Sequence, residues 1–236
     1  VGNVEDMVLK YSVNEIFNSI QGEGVRSGQF TTFVRFAECN QQCVWCDTNF
    51  SDSVELTAME ICEQIIKLKC SNVEFTGGEP LLFQDAIIEV ISYLRYNIKN
   101  ISHRFSIQTN GTILPERSLL GKSISWSISP KFGSSGCEPN WEFLTQFPMM
   151  VKKSTLYLDI EYKFVIGCED DVPDVFRVFE KLHVVNGQFI KPEFIIQPVF
   201  GSDSEYAHTL ARLLVENYPH ERIRLMCQQH KVLGVR

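Results

Sequence analysis

The sequence predicts an α/β fold with a mainly parallel sheet, and three observations carry that reading. Runs rich in β-branched and aromatic residues recur along the chain, and stretches of helical periodicity separate them. Together these make the rhythm of βαβ units. The motifs bearing glycine, proline and cysteine then fall directly after the strand-like runs. That is where parallel barrels keep their active sites, at the carboxyl ends of the strands and in the loops beyond them.

Taken in order, Tyr11 to Ile20 alternates weakly and runs into the turn Gln21-Gly22-Glu23-Gly24, which reads as an added N-terminal strand. Six strands are expected at 31–37, 73–76, 104–109, 123–129, 156–166 and 193–199, each apolar enough to be covered on both faces. Helices fit between them at 57–68, 84–96, 141–147, 173–185 and 204–217, with Pro173 suited to a first helical turn. The longest irregular stretch, 131–140, carries Gly133, Ser134, Ser135 and Gly136 and is expected to be a mobile loop.

At 236 residues and 44% hydrophobic content, the chain suits one domain over 1–236 with a sizeable core. It divides into an N-terminal strand and loop (1–30), the strand–helix repeats (31–200) and a C-terminal helix and tail (201–236). A formal charge of −7 offers no basic surface for phosphates, so a small substrate is expected rather than a nucleic acid. No apolar stretch approaches the ~20 residues of a bilayer span and no charged-then-apolar leader opens the sequence. A cytoplasmic protein with no membrane partner is the expectation.

Eight cysteines in a chain of this length read as reduced thiols rather than a disulfide framework. Cys62, Cys70, Cys137, Cys168 and Cys227 are scattered, as packing cysteines commonly are. Cys39, Cys43 and Cys46 crowd into eight residues in a Cys-x3-Cys-x2-Cys pattern. Three thiolates can ligate three irons of a cubane and leave the fourth open. Structural zinc is the alternative, although it wants a fourth ligand and the nearest histidine in sequence is His103.

This loop, with Trp45 just before its last cysteine, resembles the radical S-adenosylmethionine (SAM) superfamily, and Thr76-Gly77-Gly78-Glu79-Pro80 is similar to that superfamily's Gly-Gly-Glu motif. The resemblance implies a partial (β/α)6 barrel, a [4Fe–4S] cluster held by the three cysteines, and SAM chelated to the open iron. Glu15 to Gly24, Phe33-Val34-Arg35, Cys46-Asp47-Thr48, Ser129-Pro130-Lys131 and Gln229-His230-Lys231 further resemble the 7-carboxy-7-deazaguanine synthase family. That resemblance implies ring contraction of 6-carboxy-5,6,7,8-tetrahydropterin with loss of ammonia, on the way to queuosine or another 7-deazapurine. An electron donor such as flavodoxin or ferredoxin, a homodimer and a Mg²⁺ ion are implied with it.

Carried over residue by residue, the resemblance assigns Ile20, Gln21, Gly22, Glu23, Arg35, Thr76 and His230 to the substrate. Arg236 joins them through the chain's terminal carboxylate. Trp45, Cys46, Asp47, Gly78, Glu79, Ser129, Pro130, Lys131 and Gln197 are assigned to SAM, and Thr48 to Mg²⁺. Glu23 could accept paired donors from the pterin, and Arg35 could clamp its carboxylate through a bidentate fork. Residues 201–236 would close the site. Glu38 departs from the family, which often has glycine before the first cluster cysteine, so a side chain must fit beside the loop. Two other readings stay open: a glycyl-radical-enzyme activating enzyme, which shares the cysteine spacing, and a non-catalytic iron–sulfur or zinc binding module.

Overall fold

Alternation along the strands sets the architecture. In the computed structural model, residues 9–98, 100–120, 123–152, 159–186, 192–201, 204–217 and 223–235 are described. The chain runs β1 (Tyr11–Ile20), β2 (Phe30–Phe36), β3 (Val54–Leu56), α1 (Ala58–Leu68), β4 (Asn72–Gly77), α2 (Gln84–Asn97), β5 (Arg104–Thr109) and α3 (Arg117–Leu120). It continues through β6 (Ile124–Ile128), α4 (Trp141–Lys152), β7 (Ile160–Ile166), α5 (Val172–Asn186), β8 (Glu193–Pro198), α6 (Ser204–Asn217), β9 (Ile223–Leu225) and α7 (Gln229–Leu233). One set of alternate strand residues is bulky and apolar: Val34, Phe36, Val73, Phe75, Phe105, Ile107, Trp126, Tyr162, Phe164, Phe194 and Ile196 all join the core. The other set is polar yet buried: Glu74, Ser106, Ser127, Glu161, Lys163 and Gln197. Side chains of a strand alternate between its faces, so one face of the sheet packs on helices and the other builds a polar interior.

The described strands form one open sheet in the order β3-β1-β2-β4-β5-β6-β7-β8-β9. From β2 through β9 each neighbouring pair is parallel. The added N-terminal strand β1 pairs antiparallel with β2, and β3 antiparallel with β1. A partial barrel results, with its strand carboxyl ends on one rim. Helix α1 shows how local chemistry fixes an element: Thr57 accepts from the Glu60 amide at 3.2 Å while Glu60 accepts from the Thr57 amide at 2.8 Å, a reciprocal cap. Its Ile61, Cys62 and Ile65 are fully buried. Each such isoleucine contributes roughly 1.5–3 kcal/mol by leaving water.

Several elements differ from the sequence expectation. Strands β3 and β9 and helices α3 and α7 span three to five residues each, too short for a period to register. With β9 a seventh parallel strand follows the six expected. Helix α4 continues through Pro148 to Lys152 instead of ending at 147. Proline removes one helical bond there, while continuation buries Val151 in the core beside Phe147. The start of the strand expected at 156–166 lies outside the described residues, and β7 is described from Ile160. The stretch 131–140 is pinned rather than free. Its short 3-10 turn, Gly133–Ser135, is clasped by the Asp171 carboxylate, which accepts from the Ser134 amide at 3.1 Å and its hydroxyl at 2.5 Å. Among the described residues no helix is long and apolar enough to cross a membrane.

Candidate active site

The strand ends open onto a cavity of about 860 Å³. Of the residues singled out from sequence, Ile20, Gln21, Gly22, Glu23, Arg35, Cys39, Cys43, Trp45, Cys46, Asp47, Thr48, Thr76, Gly78, Ser129, Lys131 and His230 all line it. Glu79, Pro130 and Gln197 do not, and Arg236 lies outside the described residues.

The cysteine loop leaves the end of β2 and is seated by the glycines at the end of β4. The Gly78 amide donates to the Phe36 carbonyl at 3.1 Å and the Glu79 amide to the Glu38 carbonyl at 2.7 Å. A Cβ on Gly78 would stand 1.9 Å from the Glu38 oxygen, and Gly77 has φ +121, so neither position admits a side chain without displacing backbone. The Glu38 side chain is exposed, so this departure from the family is accommodated by turning outward. Glu79, assigned from sequence to SAM, does not line the cavity. Its carboxylate is fully buried and accepts from the Leu81 amide (2.9 Å), the Thr109 hydroxyl (2.8 Å) and the Asn110 amide (2.7 Å). Burial raises its pKa against those bonds. The side chain braces the β4–β5 rim, and Thr76, Gly77 and Gly78 are the residues of this motif that line the cavity.

On the opposite wall, Glu23 is the hub. Its carboxylate pairs with Lys163 and accepts from Gln197 at 3.0 Å and Gln228 at 2.6 Å. Burial alone would raise the Glu23 pKa, but the Lys163 ammonium and the two amides outweigh it and hold the carboxyl at about 2. Gln197, assigned from sequence to SAM, is thereby placed at Glu23. Gln21 sits beneath, donating to Glu74 at 2.6 Å and accepting from the Glu23 amide at 3.0 Å. The tail closes this side: the Gln229 amide donates to the Gly22 carbonyl at 2.9 Å, and a Cβ on Gly22 would strike His230.

Between these walls, Arg35 pairs through Nε with Glu15 at 2.9 Å and donates from Nη1 to the Thr48 hydroxyl at 3.2 Å. Asp47 is held by Lys231. Lys131 donates back to Ser129, at 2.7 Å to the carbonyl and 3.0 Å to the hydroxyl. Burial lowers its pKa, with Lys163 adding to the effect.

The radical SAM superfamily model matches residues 34–120, the segment that carries the cysteine loop and the glycine motif. A 7-carboxy-7-deazaguanine synthase from Clostridium acetobutylicum is 32% identical over 231 residues, covering 95% of this chain and 96% of that protein. The chain belongs to the 7-carboxy-7-deazaguanine synthase family. A synthase of the same name from Methanospirillum hungatei is 34% identical over 94% of this chain and 85% of its own. The crystal structure of QueE from Escherichia coli shares the fold, with a TM-score of 0.65 at 20% identity over 97% of this chain and 100% of that one.

Radical SAM membership implies a [4Fe–4S] cluster and SAM, and the three cysteines fit the cluster. Cys39, Cys43 and Cys46 share one cavity wall, each at least partly exposed. The Gln41 amide already donates to Cys39 Sγ at 3.4 Å, the kind of bond that stabilises an iron-bound thiolate. Among the described residues, no three His, Cys, Asp or Glu side chains gather as they would around a single metal ion.

Sequence reasoning missed Lys163, Gln108 and Gln228, which line the cavity, and Glu74, which lies behind it under Gln21. A signal existed for Lys163: β7 reads Ile-Glu-Tyr-Lys-Phe-Val-Ile, all buried, with its two charges two residues apart and therefore on one face. Buried charges at that spacing require partners across the interior. Because Glu23 falls from an ordinary 4.5 to about 2, the stability it contributes is fully present above pH 4.5 and lost as pH drops through 2. Glu23→Gln is therefore expected to flatten the melting temperature between pH 6 and 2, where the parent chain declines, as thermal scans across that range will read.

Proposed function

We propose that the cavity converts 6-carboxy-5,6,7,8-tetrahydropterin into 7-carboxy-7-deazaguanine with loss of ammonia, a step toward queuosine or a related 7-deazapurine. The observation that carries this reading is the joining of Glu23, Arg35 and Thr48 to the three cysteines around one cavity. A pterin presents a guanidine-like donor edge, and Glu23 is an ionised acceptor held ready for it. Arg35, fixed by Glu15, offers its remaining N–H groups to the carboxylate. Gln21, Gly22, Ile20, Thr76 and His230 complete the substrate wall. When bound, the cluster and SAM supply the 5′-deoxyadenosyl radical, and the protein's part is to orient substrate and exclude water. Trp45, Asp47, Gly78, Ser129 and Lys131 line the SAM side.

Thr48 takes the Mg²⁺ role in this reading, one protein oxygen with the shell completed by substrate and water. A metal held there would help Arg35 to orient the substrate carboxylate. The chain works as one folded unit and as a homodimer, reduced by a small electron-transfer protein of the flavodoxin or ferredoxin kind. Anaerobic incubation of the reconstituted protein with carboxytetrahydropterin, SAM, Mg²⁺ and reductant is expected to yield the deazaguanine chromophore. Turnover of SAM without that chromophore would reject the substrate. Thr48→Ala is expected to weaken the Mg²⁺ response while leaving the cluster spectrum intact, and an unchanged Mg²⁺ titration would remove the metal from Thr48.

A further inference from the structure

A fourth cysteine stands beside the three of the motif. Cys137 is 94 positions beyond Cys43, yet their sulfurs lie 4.0 Å apart. One backbone bond ties the two loops together, and a second bond sets the turn that carries Cys137. The Val44 amide donates to the Ser135 carbonyl at 2.9 Å, and the Cys137 amide donates to the Ser135 hydroxyl at 3.1 Å. Ser135 is itself fully buried, its hydroxyl donating to the Phe132 carbonyl at 2.6 Å. Gly136 turns the loop with φ +75 close against Val44. Both residues are half-buried rather than sealed in the core.

We propose that Cys43 and Cys137 form a reversible disulfide in the cluster-free protein, a covalent site that competes directly with the iron cluster. The oxidant is a low-molecular-weight disulfide of the glutathione class. One cysteine of the pair, as thiolate, attacks a sulfur of the oxidant, forming a mixed disulfide and releasing one reduced thiol. The second cysteine, as thiolate, attacks the protein sulfur of that mixed disulfide and releases the second. Two cysteines give up two protons and two electrons, and the oxidant leaves as two thiols. A disulfide is about 2.0 Å long, so side-chain rotation within the two loops must close the remaining gap.

The consequence follows from the ligand count. Cys43 cannot be an iron-bound thiolate and half of a disulfide at once, and the disulfide leaves only Cys39 and Cys46 free in the motif. Oxidation after cluster loss thus parks the chain in a form that cannot reload until a thiol reduces it. This effect rests on the three cysteines being the cluster ligands, whereas the bond itself does not.

The test uses the full chain, stripped of cluster by chelation, equilibrated with reduced and oxidised glutathione, alkylated and digested without reduction. Mass spectrometry is expected to recover a peptide pair joining Cys43 to Cys137. Alkylated Cys137, glutathione adducts alone, or a link within the motif would overturn the proposal. In the second arm, cluster transfer from a loaded scaffold protein is followed by visible absorption. The oxidised parent chain is expected to stay at background until dithiothreitol is added, and Cys137→Ser to load fully before and after oxidation. Equal loss of loading in Cys137→Ser would also overturn it, and Cys137→Ala serves if the serine variant loads poorly when reduced. If no form takes up a cluster while the Cys43–Cys137 peptide is still recovered, the cluster assignment fails and the disulfide stands.

Discussion

Replacing Lys163 with methionine is expected to destabilise the protein by about 3–5 kcal/mol, the usual cost of leaving one member of a buried ion pair alone. The Lys163 side chain is 2% exposed and its ammonium meets Glu23. It also meets Gln108: with the amide turned to satisfy both neighbours, the Gln108 oxygen accepts from Lys163 at 2.6 Å and its nitrogen donates to Glu74 at 3.1 Å. Glu74 accepts in turn from Gln21, whose oxygen receives the Glu23 amide. The lysine thus closes a ring of hydrogen bonds that supports the cavity wall around Glu23. Methionine matches its length and supplies neither charge nor donor. Denaturant titration will show the loss, and Lys163→Met combined with Glu23→Gln is expected to recover part of it, because the double variant buries no unpaired charge. Additive losses in the double-mutant cycle would mean that the two residues are not coupled.

Gly78→Ala is expected to abolish cluster loading. Its new Cβ would fall 1.9 Å from the Glu38 carbonyl oxygen and 2.8 Å from Cys39 Cβ, so relief must come from moving the end of β2 and the first cysteine together. Overpacking of this kind costs about 1–3 kcal/mol, and here the displaced atoms belong to the ligand loop itself. Gly133→Ala is the control, since a Cβ there meets nothing within 4 Å. Iron content and visible absorption after anaerobic reconstitution compare the two. A Gly78→Ala protein with full cluster absorption would show that the rim yields more readily than its backbone contacts imply.

What could be read in advance was what repeats or clusters. Tyr11 to Ile20 announced itself through alternation, the runs that became β2, β4, β5 and β8 through their β-branched and aromatic richness, and the cysteine loop through spacing alone. What could not be read was direction. Glu79 and Gln197 were placed correctly at strand ends, but whether a carboxylate or amide faces a cavity or its neighbours depends on partners distant in sequence: Asn110 for one, Glu23 for the other. Lys163 was hidden by the apolar residues around it in β7. Helix α4 outran the expected 141–147 because the core position that Val151 fills is not visible in the sequence.

Gln228 reaches Glu23 across 205 positions of chain. The cysteine loop and the glycines that seat it, by contrast, lie within the first 78 residues. Contacts so unequal in span cannot form on the same schedule, because closing the longer loop costs more entropy and waits on everything between. The glycines that seat the cysteine loop are available long before the strand, helix and tail residues that complete the wall around Glu23. The wall that carries the three cysteines is topologically local, and the wall around Glu23 is closed by contacts of the longest span.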